Sequence, residues 1–438
     1  MSSDFGALLL RGVDRQIGLT ERLAAAIHDK RHPSYIDHPL RDLLAQRIYQ
    51  IASGYADGND ANSLRHDPLF KLGVERRPLD PAQDLASAPT FSRLEHQVDR
   101  KDLYRLSRAL VDHFIASYAE PPAAIVLDLD HSDDPTHGQQ EFAFYNHYYQ
   151  NHCYLPLFIF EGTSHALVTA YLRPGTRPTG AENARIVARL LSYLRRHWPH
   201  THMLVRGDSH FATPEVIDMI ASYRWTDFVF GLAGNAVLLR QAAPTIQEAR
   251  RLHHQRVTQA QAHGQAPPTS SRLYNEFVYA AGSWAQPWRV VLKAEVMSAG
   301  DNPRFVVTSL EAPTPQMVYE DLYCARGTCE NDIKAVKCDL RSDRTSATTF
   351  LANAMRLLLA CAAYALHHAL RTHTLQHTAL ALAQPSTVIL TLFQIATQVK
   401  QYKDRILLHL PSACPVKALL QRVTTLMWAV PLSVGNTS

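Results

Sequence analysis

The spacing of apolar residues divides the chain into a helical beginning, a central region of short strands and a helical end. Residues 1–120 carry apolar positions at helical spacing, separated by polar segments rich in turn-forming residues. After Pro121 and Pro122 the apolar runs shorten to the length of strands. We therefore expect a mainly helical N-terminal region over 1–120 and a different architecture beyond it.

Residues 121–234 predict an α/β core, because strand-like runs alternate with amphipathic helices in the order β-β-β-α-β-α-β. Thr179 and Glu182 supply a capping box for the first of these helices. The second begins with Thr213 followed by Pro214, a favoured residue at the first helical position. The first and fourth strands end in acidic residues, so acids from different strands can meet at one edge of the sheet.

The remaining chain interrupts this pattern once and then returns to helix. Residues 235–314 contain three strand-like runs joined by glycine- and asparagine-containing turns, which predict a β-rich insertion. Residues 315–345 predict a helix that returns to the core, and 346–438 predict a helical C-terminal region with one strongly apolar core helix. The link over 131–154 suits either a loop or an extension of the first hairpin, and both interpretations stay open.

Composition is typical of a folded intracellular protein. The 438 residues are 46% hydrophobic and 19% charged, which suits two or three packed domains. The formal net charge of +4 is a weak basic excess that permits nucleic-acid binding without indicating it. The six cysteines include no C-x-x-C pair, and we see neither a signal peptide nor an apolar run of about 20 residues. We expect a cytoplasmic protein that does not enter the membrane.

The segment "LDLDHSDDPTHGQQ" at residues 127–140 places four aspartates within seven residues. Asp128 and Asp130 face the same side of the predicted strand, because side chains alternate along a strand. Asp133 and Asp134 fall in the following turn, where we expect their charges to be solvated. An EF-hand calcium loop is excluded, since its glycine and its final glutamate are missing.

Acids at two strand ends suit metal-dependent chemistry on a phosphodiester. Two Mg²⁺ ions about 4 Å apart can hold the attacking and leaving oxygens of such a reaction. Hard cations prefer carboxylate oxygens, so Asp130 and Asp208 supply two ligands and a third acid must come from another element. Glu330 is the candidate, because it lies on a predicted helix among cationic residues.

One edge of that helix carries a tyrosine, one acid and three cations. At about 100° per residue these positions fall within a stripe of about 80°, beside an apolar stripe. The set consists of Tyr323, Arg326, Glu330, Lys334 and Lys337. Two interpretations remain: surface ion pairs worth about 0.2–0.5 kcal/mol each, or a metal-binding carboxylate beside cations that bind phosphate.

The spacing Tyr323-x2-Arg326-x3-Glu330-x6-Lys337 resembles the Y-R-E-K signature of a class of bacterial insertion-sequence transposases with a DDE triad. The two acidic strand ends, in "VLDLDHSDDPTHGQQ" and "LVRGDSHF", and the strand "FVFGLAGN" are also similar to one subgroup of this class. N-terminal segments such as "QRIYQIASGYADGNDANSLRHDPLF" share the similarity. The resemblance therefore covers nearly the whole chain.

The resemblance implies an α/β protein with an RNase H-like mixed β-sheet core and a β-rich insertion, flanked by helical N- and C-terminal regions. It also implies that Asp130, Asp208 and Glu330 are the catalytic acids and the ligands of Mg²⁺ or Mn²⁺. The run "DHS" that begins at Asp130 fits the family's first acidic element best. Asp128, on the same strand face, is the alternative first acid.

The resemblance further implies the partners and the reaction. Tyr323, Arg326 and Lys337 are expected to contact transposon-end DNA, and Lys334, on the same stripe, is expected to bind DNA with them. The partner is double-stranded DNA, at the inverted repeats of the element and at the target, bound by region 1–120 and held by a homodimer. The protein is then nucleoid-associated. Water cleaves one phosphodiester, and the released 3′-hydroxyl attacks a second, with a hairpin end as an implied step.

Two other functions remain open from the residues alone. "DLDHS" is one conservative change from the D-x-D-x-T motif that it resembles in haloacid-dehalogenase-type phosphatases, where Asp128 would be the nucleophile and Glu330 dispensable. The later acidic motif of that family is incomplete, with only Gly207 and Asp208 present. The other alternative is a non-catalytic DNA-binding protein with a nuclease-like core, although all three acids are intact.

Overall fold

A computed structural model describes residues 1–427, and its central element is an eight-stranded mixed β-sheet. The described strands are β1 (Ser2–Asp4), β2 (Ala124–His131), β3 (Asp134–Pro135), β4 (Phe144–Asn146), β5 (Asn151–Tyr154), β6 (Leu157–Glu161), β7 (Leu167–Tyr171), β8 (His202–Gly207), β9 (Thr226–Leu232), β10 (Ser270–Tyr279), β11 (Trp288–Met297), β12 (Gly300–Thr308), β13 (Gln394–Gln401) and β14 (Ile406–His409). The order in the central sheet is β10-β11-β12-β9-β8-β2-β6-β7.

Helices make up most of the N-terminal and C-terminal regions of the described chain and cover the sheet. They are α1 (Gly6–Ile17), α2 (Leu19–Ala26), α3 (Leu40–Ala52), α4 (Ala61–Leu64), α5 (Pro68–Gly73), α6 (Ala88–Gln97), α7 (Arg100–Ala116), α8 (Gly180–His197), α9 (Pro214–Ala221), α10 (Ala236–Ala262), α11 (Pro315–Met317), α12 (Gly327–Lys334), α13 (Phe350–His373), α14 (Pro385–Val388) and α15 (Lys417–Met427). Residues 315–339, which include α11 and α12, are helical throughout, and we call them the Glu330 helix.

The middle of the sheet follows the predicted order of strands and helices. β2, β6 and β7 pair antiparallel, whereas β8 pairs parallel with both β2 and β9. α8 connects β7 to β8, and α9 connects β8 to β9. The prediction of a mixed α/β protein is therefore confirmed. Because β2 and β8 are parallel, Asp130 and Asp208 stand at the same edge of the sheet.

The two faces of the sheet are covered by different parts of the chain. Leu127 and Leu129 of β2 point into the apolar core that β2 shares with α8, α9 and α10. Asp128 and Asp130 alternate with them and point to the opposite face, which packs against the Glu330 helix and α13. The acidic positions of β2 therefore face the helix that carries the predicted third acid.

The segment 235–314 enlarges the central sheet. α10 fills its first part, and β10, β11 and β12 pair antiparallel in the second. β12 also pairs antiparallel with β9, so the three strands continue the sheet beyond the parallel pair. The link over 131–154 instead forms a small separate sheet of order β3-β5-β4.

The C-terminal region differs from the predicted all-helical segment. β13 and β14 pair with each other, and β1 joins them in a three-stranded sheet. The sequence "QIATQVKQ" of β13 alternates buried and exposed positions, a two-residue period that favours a strand. The last part of the predicted region, 428–438, lies outside the described residues.

The apolar helix α13 is a core helix, as expected. It packs against α1, α3, α6 and α7 of the N-terminal region and against β7 of the sheet. Its length and composition alone would suffice to cross a membrane, yet 83% of that apolar window is buried inside the protein. The helix therefore joins the N-terminal helices to the sheet.

A buried ion pair joins β2 to β8. Asp128 and Arg206 are paired neighbours on the two parallel strands. Arg206 donates from Nε to Oδ1 of Asp128 at 2.6 Å and from Nη2 to Oδ2 at 2.7 Å. A Cβ atom at Gly162 would lie 2.4 Å from Nη2, so a larger residue at this position would have to displace the pair. The third guanidinium nitrogen, Nη1, donates to the carbonyl of Leu322 in the Glu330 helix at 2.8 Å.

Replacing Arg206 by methionine should strongly destabilise the protein. Asp128 would then be buried without a partner, which typically costs about 3–5 kcal/mol. Urea denaturation should show this loss for Arg206→Met and a partial recovery for Asp128→Leu/Arg206→Met. The matched control is Arg304→Met, on an exposed position of β12. Equal stability of Arg206→Met and the control would show that the pair does not support the fold.

Candidate active site

Two acidic residues stand at the carboxyl ends of neighbouring parallel strands. Asp130 lies near the end of β2, and Asp208 directly follows β8. The pKa of Asp130 is raised to about 6, because its burial and the charges of Asp208 and Glu330 outweigh the opposing charge of Arg326. The structure therefore brings the three predicted acids close enough to interact electrostatically.

The Arg326 side chain bridges the first and the third of these acids. Its Nη1 donates to Oδ2 of Asp130 at 3.0 Å, and its Nη2 donates to Oε1 of Glu330 at 3.4 Å. The side chain of Arg326 is 13% exposed, whereas that of Glu330 is 64% exposed. The contact with Asp130 is therefore shielded from water. The longer, solvated contact with Glu330 contributes little to stability, so the Glu330 carboxylate can move at a small cost in free energy.

His210 orients the second acid. Its backbone N–H donates to Oδ1 of Asp208 at 3.0 Å, and its Nδ1 lies 2.9 Å from Oδ2. Burial raises the pKa of Asp208, but the hydrogen bonds and charge of His210 outweigh this effect and lower the pKa overall. His210 is not among the site residues predicted from the sequence. The sequence does contain a signal for this contact. His210 lies two residues after Asp208, and an aspartate commonly accepts a hydrogen bond from the backbone N–H at that position.

Tyr323 lies against the ends of β8 and β9. A Cβ atom at Gly231 would lie 2.5 Å from Oη of Tyr323 and 3.3 Å from the backbone nitrogen of Ser209. Glycine at this position therefore leaves the space that the phenol occupies. Because Arg206 also holds the carbonyl of the preceding residue, Leu322, the tyrosine has a defined position beside the acidic strand ends.

The two lysines of the predicted stripe have different environments. Lys337 donates from Nζ to Oδ1 of Asp133 at 2.7 Å and to Oγ of Ser132 at 3.2 Å. Lys334 is exposed and has no ion-pair partner within residues 1–427. Lys334 can therefore meet an anion directly, whereas Lys337 must first leave a carboxylate.

The later aspartates of the acidic run are not solvated turn residues, so that prediction was wrong. Asp133 is paired with Lys337. Asp134 is buried, and the hydroxyl of Thr345 donates to its Oδ1 at 3.3 Å. Burial raises the pKa of Asp134 well above its usual range. The expectation failed because the turn leads at once into β3, which pairs with β5.

The Glu330 helix is held on its other side by Asp332. Nδ1 of His165, in the turn between β6 and β7, lies 2.8 Å from Oδ2 of Asp332. The hydroxyl of Tyr364 on α13 donates to Oδ1 at 3.1 Å. Within the helix, π-helical turns at Val318–Tyr323 and Ala335–Asp339 stand on either side of α12, and such turns are frequent at functional sites.

The donor set at the strand ends fits a hard divalent cation. Mg²⁺ and Mn²⁺ prefer carboxylate oxygens, and three carboxylates at close range need a counter-charge. Arg326 supplies that charge to Asp130 and Glu330. Within residues 1–427, no group of three His, Cys, Asp or Glu side chains is arranged as metal ligands. Binding of a cation by all three acids therefore requires their side chains to rearrange.

The match to a family model identifies the chain as a DNA-cleaving and DNA-joining enzyme of the DDE type, a transposase. The chain belongs to the family Transposase DDE domain group 1, whose family model matches residues 1–431. A comparison with curated proteins gives no match. Among solved structures, the chain is similar to the cryo-EM structure of the piggyBac transposase synaptic complex with hairpin DNA. The identity is 14% and the TM-score 0.41, over 100% of this chain and 87% of that chain.

Family membership confirms the predicted DDE transposase and decides against the phosphatase and the non-catalytic alternatives. The geometry also argues against a nucleophilic Asp128. Its side chain is fully buried, and both carboxylate oxygens accept hydrogen bonds from Arg206. The roles assigned to individual acids and cations stay predictions.

The pair of His165 and Asp332 should make stability depend on pH. The hydrogen bond to Asp332 raises the pKa of His165, so the pair stabilises the fold fully below pH about 6.5. This stabilisation is lost as pH rises through the raised pKa. His165→Asn should therefore lower the unfolding temperature more at pH about 6 than at pH about 8.5.

Asparagine suits the substitution because it tolerates the left-handed backbone of His165, whose φ is 61°. The matched control is His377→Asn, at an exposed histidine with a φ of 60°. A loss of stability that is equal at both pH values would contradict the ionic character of the His165–Asp332 pair.

Proposed function

We propose that this transposase cuts and rejoins DNA at the terminal inverted repeats of an insertion sequence of the Y-R-E-K class. Arg326 carries the proposal, because it contacts Asp130 and Glu330 at the edge of the sheet where Asp208 follows β8. The guanidinium balances the charge of the two carboxylates. When DNA binds, a divalent cation can take its place on the carboxylates, and a DNA phosphate can pair with the guanidinium. The reaction class is hydrolysis followed by transesterification with two metal ions.

The core that we infer is RNase H-like. This inference is supported by the strand order β7-β6-β2-β8-β9. The strands β7, β6 and β2 pair antiparallel, and β8 and β9 follow parallel to β2. The segments 121–234 and 315–345 form this core, and the β-rich insertion 235–314 extends it. The helical region 1–120 is assigned to DNA binding, and the described part of the C-terminal region, 346–427, supports the core.

We assign the first catalytic acid to Asp130. Asp128 is committed to Arg206 with both oxygens, whereas Asp130 faces Arg326 and shares its electrostatic environment with the other two acids. Asp130, Asp208 and Glu330 would hold Mg²⁺ or Mn²⁺. When bound, the ions activate water as a nucleophile and offset charge on the phosphodiester.

The protein's own residues position the DNA. Arg326 and Lys337 exchange their carboxylate partners for phosphate oxygens, and Lys334 contacts phosphate without such an exchange. Tyr323, fixed against Gly231, packs against the DNA or hydrogen-bonds to it. His210 keeps the carboxylate of Asp208 oriented towards the site.

The bonds made and broken define two steps. Water attacks a phosphodiester at the transposon end, breaking the P–O3′ bond and leaving a 3′-hydroxyl. That hydroxyl then attacks a second phosphodiester and releases another 3′-hydroxyl from it. A hairpin end arises when the second phosphodiester lies on the opposite strand, and this step rests on the family resemblance alone.

The partners follow from this reaction. The substrate is double-stranded DNA, at the inverted repeats and at the target site. A homodimer would hold two transposon ends together. We expect the protein to be cytoplasmic, to associate with the nucleoid when it is bound to DNA, and to have no membrane partner.

Asp208→Asn and Glu330→Gln should each lower end cleavage by at least about 100-fold, because each removes a carboxylate ligand worth several kcal/mol in the transition state. The measurement is cleavage of a labelled inverted-repeat end with Mg²⁺ present. Asp321→Asn, an exposed position on the same helix, is the matched control and should cut at the parental rate. If both site variants cut as fast as this control, the assignment of the acids is wrong.

A further inference from the structure

A short hairpin displays aromatic side chains to solvent next to the acidic strand end. It consists of β4, a four-residue turn and β5, residues 144–154, and we call it the aromatic hairpin. Tyr148 at its turn is 82% exposed, and Phe144 and Tyr145 are 43% and 47% exposed. Large aromatic groups in water are unfavourable, so a cluster of them indicates a surface that is covered by a partner.

The aromatic hairpin has a rigid frame. The side-chain oxygen of Asn146 accepts hydrogen bonds from the backbone N–H groups of Tyr148 and Tyr149, at 3.0 and 3.3 Å. Its Nδ2 donates to the carbonyl of Gly175 at 3.0 Å. A Cβ atom at Gly175 would lie 2.0 Å from the carbonyl oxygen of Cys153, so the neighbouring loop packs directly on the hairpin. The backbone that carries the aromatic rings therefore has a fixed shape.

The hairpin is joined by backbone pairing to the segment that follows the first acid. β5 pairs antiparallel with β3, which begins only four residues after Asp130. The pKa of Tyr149 is raised to about 12 by burial and then by the charges of Asp133, Asp130 and Asp208. The aromatic hairpin therefore borders the site at which the scissile phosphodiester is proposed to lie.

The charges around the hairpin suit a nucleic acid. Residues 142–160 contain no aspartate or glutamate, and the rings of His147 and His152 pack against Tyr145. Arg177, two residues beyond Gly175, is exposed and has no ion-pair partner within residues 1–427. Exposed aromatic rings with a cation carried on the adjoining loop form the kind of surface on which nucleic-acid bases stack.

We propose that the aromatic hairpin stacks on unpaired bases of the DNA strand beside the phosphodiester held at Asp130 and Asp208. The proposal rests on the proposed function and adds to it a base-contacting surface with a preference for opened DNA. Bases within a duplex hide their faces, so the preference for unpaired bases follows directly from the use of exposed rings.

The test compares binding of two DNA probes by the full-length protein without added metal. One probe is a fully paired duplex, and the other has the same sequence with a short unpaired fork at one end. The parent should bind the forked probe more tightly in fluorescence anisotropy. Tyr148→Ala should weaken binding of the forked probe by about 5-fold or more, which corresponds to the lower end of the binding free energy of one base–aromatic stack. Binding of the paired probe should not change.

Two further variants make the result specific. Tyr148→Phe keeps the ring and should bind the forked probe like the parent. Tyr35→Ala removes a tyrosine that is 83% exposed elsewhere, and should leave both probes unaffected. Unchanged binding of the paired probe by Tyr148→Ala also shows that this variant is folded.

Three outcomes would overturn the proposal. They are equal binding of both probes by the parent, undiminished binding of the forked probe by Tyr148→Ala, and a loss of self-association in place of a loss of DNA binding in that variant. If the parent still cuts inverted-repeat ends in any of these cases, the proposed function stands and only the aromatic hairpin's role falls. If the parent neither binds nor cuts DNA, both fail.

Discussion

The buried pair of Asp128 and Arg206 determines how the sheet and the Glu330 helix fit together. One guanidinium uses two nitrogens on the Asp128 carboxylate and the third on the carbonyl of Leu322, so β2, β8 and the helix meet at a single side chain. An ion buried in this way is stable only when all its hydrogen-bonding groups are used. The pair therefore sets the position of Tyr323, the next residue along the helix.

The four aspartates between residues 128 and 134 have four different environments. Asp128 is structural, Asp130 faces Arg326, and Asp133 is paired with Lys337. Asp134 is buried with a raised pKa, which favours its neutral form. The repulsion expected from so dense a run of acids is relieved because three cations from distant parts of the chain reach it. Two of those cations are also the ones proposed to bind DNA, so the run holds them in place before DNA arrives.

Local patterns were enough to predict most of the secondary structure, and they put Asp130 and Asp208 at strand ends and Glu330 on a helix. The capping box at Thr179 and Glu182 and the apolar strand runs gave the core elements, because these signals lie within a few residues of one another. The ion pairs could not be predicted in the same way. The partners of Asp128, Asp130 and Asp133 are 78, 196 and 204 residues away, and only tertiary packing brings them together. The alternation in β13 was a local signal that the helical interpretation of the C-terminal region passed over.

The most direct test of the division between Asp128 and Asp130 is anomalous X-ray diffraction from crystals of the protein soaked with Mn²⁺. The account predicts an ion bound by Asp130 and Asp208, with the guanidinium of Arg326 moved away from Asp130. Asp128 should remain paired with Arg206. An ion bound to Asp128 with Arg206 displaced, or no ion at Asp130 with Arg326 unmoved, would contradict it.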